Sequence, residues 1–296
     1  MGDAGALDSG RVTVNGVELA YLAAGSGPLA LCLHGFPDTA HTWRHLLPRL
    51  AAAGYRAVAP FLRGYAPSAV PADGRFQTAA LSLDAIALHD ALGGDVGEEA
   101  VIVGHDWGAM TATGAAVHAP QRWRRVVTLA VPPGPTVGAS LLGNLAQLKR
   151  SWYMFFFQHP LADFVVAADD LKYIDMLWAD WSPGFDATED LALVKQSLRD
   201  PAHLQAALGY YRATLGAGYQ DPALAELQVA GAQYPPQPML YLHGRDDGCM
   251  GAEVAQAAAD DAPGNVSVEI LDGCGHFLHL ERPDDVNDRI VEFLAR

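Results

Sequence analysis

The sequence predicts an α/β fold: a mostly parallel central sheet with helices on both faces, interrupted by one long helical insertion. Three observations lead there. Short, almost wholly apolar runs recur along the chain, as strands buried on both faces of a parallel sheet do. Segments with helical apolar periodicity separate them, and alternation of strand and helix builds a doubly wound sheet. That alternation lapses between Val131 and Pro238, where helical, aromatic-rich segments occur without a convincing strand.

The opening "MGDAGALDSG" is small and polar, which predicts a flexible start at residues 1–10 and lacks the charged end and apolar run of a signal peptide. In "RVTVNGVELAYL" (Arg11 to Leu22) polar and apolar residues alternate about Asn15-Gly16, predicting an antiparallel hairpin. The predicted strands that follow are Leu29–Gly35, Arg56–Leu62, Ala100–His105, Arg125–Val131, Pro238–Gly244 and Val266–Gly273. Helices are predicted at Trp43–Ala53, Ala80–Leu92 and Ala109–His118, and "PDDVNDRIVEFLAR" reads as a closing amphipathic helix. "LLGNLAQLKRSWYMFFF", "DLKYIDMLW" and "LQAALGYYRATL" populate the insertion, and the proline-rich breakers "VPPGP" and "YPPQP" mark its edges. The expected organisation is therefore a core at 1–131 and 238–296 with a helical cap at 132–237.

Composition narrows the partners. Nineteen Lys and Arg against 34 Asp and Glu give the 296-residue chain a formal charge of -15, which argues against nucleic acid or an anionic membrane as partner. Cys32, Cys249 and Cys274 are an odd set without paired spacing, so reduced thiols in the cytoplasm are expected, with no disulfide framework, metal or cofactor. No run of about 18 apolar residues suggests a membrane span. A soluble monomer or homodimer is expected.

In open α/β sheets chemistry gathers just beyond the carboxyl ends of the strands. "VIVGHDWGAM" (Val101 to Met110) has the spacing of a GxSxG nucleophile elbow, the strained strand-to-helix turn that exposes a serine, but Asp106 stands at its centre. A helix-capping aspartate would explain Asp106 but not both Gly104 and Gly108. "YLHGRDDGCM" places Asp246 and Asp247 after another strand, and "LDGCGHFLHLERP" places His276 after the last. Nucleophile, acid and histidine thus occur in the chain order of α/β-hydrolases, whose oxyanion hole would draw on the N–H groups of Phe36 in "LCLHGFPD" and of Trp107. His243 and His279 read as structural.

Taken together, "HGFPD" followed by Trp43, "RGYAPS" (Arg63 to Ser68), "GHDWGA" and "GCGHFLHLERP" closely resemble the epoxide hydrolases of the α/β-hydrolase fold, from about Arg11 to the end of the chain. The resemblance implies Asp106 as nucleophile, His276 as base and Asp247, by family spacing, as its acid partner, with Asp246 a solvated turn residue. It also implies two cap tyrosines that hold and protonate the epoxide oxygen. Tyr153 in "SWYMFFFQHP" matches the first, and Tyr211 in "LGYYRATL" the second, because the family's second tyrosine resembles a Tyr-Arg pair. Tyr210 points about 100° away on a helix, so only one of the two can face the site well. Phe61 and Ala66 depart from the family at peripheral positions where an acid and a glycine are common. The implied substrates are an apolar epoxide and water, with Trp152 and Phe156 contributing to substrate binding. Haloalkane and fluoroacetate dehalogenases share the aspartate elbow and are the nearest alternative. Some of them carry an acid after the strand ending here at Val131, but Pro132 and Pro133 follow it. A ligand receptor built on a hydrolase scaffold is a second alternative.

Overall fold

A computed structural model describes residues 7–93, 100–216 and 218–296. Asn15 and Gly16 take positive φ of 48° and 77°, joining β1 (Asp8–Val14) to β2 (Val17–Ala24) through the predicted two-residue turn. β1 already begins at Asp8, so the flexible start is overturned for Asp8 to Gly10, whose backbone pairs with Tyr21 to Ala23. Residues 1–6 lie outside the described residues.

β3 (Leu29–Leu33), β4 (Arg56–Pro60), β5 (Val101–His105), β6 (Arg125–Leu129), β7 (Met239–Gly244) and β8 (Val266–Leu271) complete an eight-stranded sheet of order β1-β2-β4-β3-β5-β6-β7-β8. Pairing is antiparallel from β1 through β4 and parallel thereafter. Side chains alternate between two cores: Leu29, Leu31 and Leu33 join the cluster under α2 (Thr78–Leu92) and α3 (Trp107–His118), while Ala30 and Cys32 join that under α1 (Leu46–Ala52) and the closing helix Pro283–Ala295. β8 departs from the expected double burial: it is the sheet edge, and most of its side chains are only half-buried. α1 begins later than predicted because Pro48 is tolerated only in a helix's first turn, so a separate 3₁₀ turn at Ala40–Trp43 precedes it.

Between β6 and β7 the described residues form helices and no strand. The helix Pro201–Leu215 has a complete set of end signals: the Asp200 side chain accepts from Ala202 N–H, proline opens the first turn, and Gly216 closes it at φ 96°. Side chains from this region bond the strand-end loops, with Trp178 Nε1 donating to the Pro37 carbonyl (2.9 Å) and the Tyr210 hydroxyl to that of Arg63 (2.8 Å). No helix among the described residues is long and apolar enough to cross a membrane. Since β3 connects to β4 on one side and neighbours β5 on the other, the winding reverses between β3 and β5, and a crevice opens beyond their carboxyl ends.

Candidate active site

Asp106 follows β5 directly and holds φ 54°, ψ -118°, a conformation that a non-glycine residue adopts only when its surroundings enforce it. The enforcement is steric and local. A Cβ on Gly104 would lie 2.0 Å from the Gly108 carbonyl oxygen, and one on Gly108 would lie 2.0 Å from that of Leu33. Both glycines are therefore required for β5, the turn and α3 to close against β3.

The turn aims the Asp106 carboxylate back at the end of β3. Its Oδ1 accepts from the Phe36 N–H at 2.7 Å, and the Trp107 N–H also bonds the carboxylate. Its Oδ2 lies 3.7 Å from His276 Nε2, while His276 Nδ1 lies 2.9 Å from Asp247 Oδ2. Asp247 Oδ1 accepts from the N–H groups of Cys249 (2.7 Å) and Met250 (2.9 Å), so both carboxylate oxygens face donors and the imidazole proton is directed to Nδ1. That leaves Nε2, fully buried and without a protein partner, facing Asp106. Asp246, one residue earlier, is exposed.

Burial drives the electrostatics. Desolvation raises the Asp106 carboxyl to about 6, against the lowering effects of His276 and the two N–H groups. For His276, desolvation acts downward, but the charge and hydrogen bond of Asp247, and then the charge of Asp106, carry the imidazole above its usual value.

Asp106 lines an apolar cavity of about 60 Å³ with Trp107, Met110, Tyr153, Tyr211 and Cys249 among its walls. The Tyr211 hydroxyl is buried beside the Trp107 side chain, and the Tyr153 hydroxyl lies 3.4 Å from Cys249 Sγ. Desolvation pushes both phenols well above their usual pKa, so they remain hydrogen-bond donors. With Tyr210 committed to the Arg63 carbonyl, it is Tyr211 that faces the cavity, its ring 5.6 Å from that of Tyr153.

Trp152 and Phe156 are not brought to this cavity, contrary to expectation. The helix Trp152–Phe156 turns Tyr153 and the following Phe157 inward, four residues apart, which leaves Trp152 and Phe156 on a different face. Trp152 is 44% exposed, and Phe156 stacks on Tyr173.

Several supporting residues carried no signal in the sequence. The His105 Nε2–H donates to the His276 carbonyl, fixing that imidazole's tautomer. Glu281 accepts from the Gly275 N–H and the Ser182 hydroxyl, whose oxygen in turn accepts from the Phe277 N–H, while His276 N–H donates to the Trp181 carbonyl. The histidine loop is thus fastened on both sides. Cys249, expected only as a reduced thiol, is also part of the cavity wall.

Two groups among the described residues bring three metal-ligating atoms within 4.8 Å of one another: Asp247, Cys249 and His276, and Asp38, His105 and His279. In the first, Asp247 and His276 are already committed to each other. In the second, burial raises Asp38 to about 8 and lowers both imidazoles, which favours the neutral form of each group.

Residues 28–283 match the alpha/beta hydrolase fold family. The epoxide hydrolase of Caballeronia sordidicola is 32% identical, over 96% of this chain and 92% of its own length. Epoxide hydrolase A of Mycobacterium tuberculosis is 29% identical, over 98% of both chains. A crystal structure of the Bacillus megaterium epoxide hydrolase in complex with an inhibitor superposes with a TM-score of 0.81 at 27% identity, covering 97% of this chain and all of its own.

Proposed function

The chain belongs to the α/β-hydrolase fold family, in its epoxide hydrolase branch, and from that premise we propose that it converts an apolar epoxide and water to a vicinal diol through an ester on Asp106. The observation that carries this is one apolar cavity with the Asp106 carboxylate and two proton-bearing phenols, Tyr153 and Tyr211, in its walls. A carboxylate attacks alkyl carbon without prior deprotonation. Asp106 Oδ2 forms the bond to a ring carbon, the C–O bond of the ring breaks, and a phenol hydrogen-bonds and protonates the departing alkoxide.

Water then attacks the ester at Cγ. His276 Nε2 takes its proton, Asp247 steadies the imidazolium, and the charge on Oδ1 falls on the Phe36 and Trp107 N–H groups, donors each worth a few kcal/mol in such sites. Collapse expels the diol, whose departing oxygen takes the proton held by His276, and the proton left on the Asp106 carboxyl returns to the tyrosinate, which restores carboxylate and phenol. In this scheme residues 132–237 act as a cap over a core formed by 1–131 and 238–296. The three cysteines are buried and unpaired, which fits a reducing compartment, and we place the enzyme in the cytoplasm.

A single turnover of styrene oxide in ¹⁸O water tests the ester. The first-turnover diol is expected to carry unlabelled oxygen from Asp106, and 1-bromobutane is expected to release no bromide. Solvent oxygen in that first diol excludes the ester, and bromide release restores the dehalogenase reading.

A pH dependence follows from the same carboxyl. Asp106 attacks only when ionised, so the rate of ester formation is expected to fall as pH drops through about 6. Once Asp106 is esterified its charge no longer holds His276 up, and the imidazole becomes more readily neutral when it must act as base. Rapid-quench measurement of ester formation checks the first limb; a rate unchanged down to pH 5 contradicts it.

A further inference from the structure

The cavity at Asp106 is too small for most of an apolar epoxide. Its 60 Å³ lies far below the roughly 300–1,000 Å³ that encloses a drug-sized ligand. A second chamber of about 410 Å³ lies between α2 and α3 on one side and the chain about residues 132–141 and 227–232 on the other. The two spaces share Met110, Val137, Leu141 and Thr214, so they meet at a common wall, and the chamber's lining is predominantly apolar. Beyond the tyrosines, a pocket of about 480 Å³ on the far side of Trp181 shares no lining residue with the cavity at Asp106 and is walled off from it. Phe36, Phe157 and Trp181 are buried and pack their rings against Tyr153 or Tyr211 at 5.0–5.6 Å.

Resting on the epoxide hydrolase reading, we propose that this chamber takes the arm of a terminal, monosubstituted epoxide, an unbranched apolar chain of about six carbons or more. The oxirane would sit between Asp106 and the phenols, and its single substituent would leave past Val137 and Leu141. An epoxide substituted on both carbons would need a second exit, which the packed aromatic wall denies.

Gly138 offers a means of obstructing the chamber from its exposed rim. It lies in α4 (Thr136–Gly143), lines the chamber but not the cavity at Asp106, and a Cβ built on it meets nothing within 4 Å. Ala232 lines the chamber from the other segment.

The experiment measures kcat/KM for 1,2-epoxypropane, 1,2-epoxyhexane and 1,2-epoxyoctane, and for trans-2,3-epoxyoctane, with Gly138→Trp and Ala232→Trp as variants whose melting is checked first. Transfer of each methylene from water into an apolar site is worth roughly fourfold, so kcat/KM is expected to climb by about that factor per methylene in the unsubstituted enzyme. In the tryptophan variants the climb is expected to flatten while 1,2-epoxypropane turnover stays within about threefold. The internal epoxide is expected to be at least about tenfold poorer than its terminal isomer. A flat series in the unsubstituted enzyme, a climb surviving in every variant that folds, or equal turnover of the two octane epoxides overturns the chamber's role. Absence of turnover on all four overturns the epoxide hydrolase reading itself.

Discussion

Asp106→Ala is expected to lower kcat by roughly four to six orders of magnitude, the range in which removal of an essential catalytic residue ordinarily falls. No neighbour can stand in for it. Cys249 borders the same cavity, but burial holds its thiol well above the usual value, so the nucleophilic thiolate is scarce. His276 is held by Asp247 through Nδ1, which leaves Nε2 facing position 106 as a base for water in the proposed reaction rather than as a nucleophile. The Phe36 and Trp107 N–H groups that now hold the carboxylate would remain, but with no carbonyl to polarise. Steady-state assays with far-ultraviolet circular dichroism as a check on folding decide the matter. Retention of more than about one hundredth of the activity would remove Asp106 from the centre of the mechanism.

His276→Ala is expected to leave the first half of the reaction intact and stop the second. In the proposed reaction ring opening uses Asp106 and the phenols, whereas ester hydrolysis needs a base for water. The variant should therefore consume about one equivalent of epoxide and then stall, with its intact mass increased by that of the substrate. The measurement belongs at about pH 8, because losing His276 removes an attraction that lowers the Asp106 carboxyl, whose buried value then rises. An unmodified mass after incubation, or continued turnover at the unsubstituted rate, is incompatible with these roles.

Much of this site could be read before any coordinates, because its chemistry sits at strand ends and strand ends are marked by local pattern. The run "AVIVGH" announced β5, and the flanking glycines announced the elbow. Local pattern could not separate Asp246 from Asp247: adjacent residues of one turn differ only in direction, and the spacing of the resembling family supplied the choice. The aromatic run "WYMFFF" failed for a related reason. Nearly every position is apolar, so no periodicity says which face turns inward, and Trp152 and Phe156 proved to be on the wrong one. Glu281, Ser182 and Trp181 fasten the histidine loop from positions about a hundred residues apart, and such pairings leave no trace in a single sequence. The chamber beside Gly138 is equally silent, being assembled from separate stretches of chain.

The bond from the Phe36 N–H to Asp106 Oδ1 makes the two carboxylate oxygens unequal before substrate arrives. Oδ1 rests where the proposed reaction would put the tetrahedral charge, and Oδ2 faces His276. At each turnover the diol would leave with the oxygen at the Oδ2 position, and water would replace it there. As long as the buried carboxylate does not rotate, the enzyme keeps one oxygen atom for its whole working life and lends out the other, a molecular memory written in which atom is never exchanged.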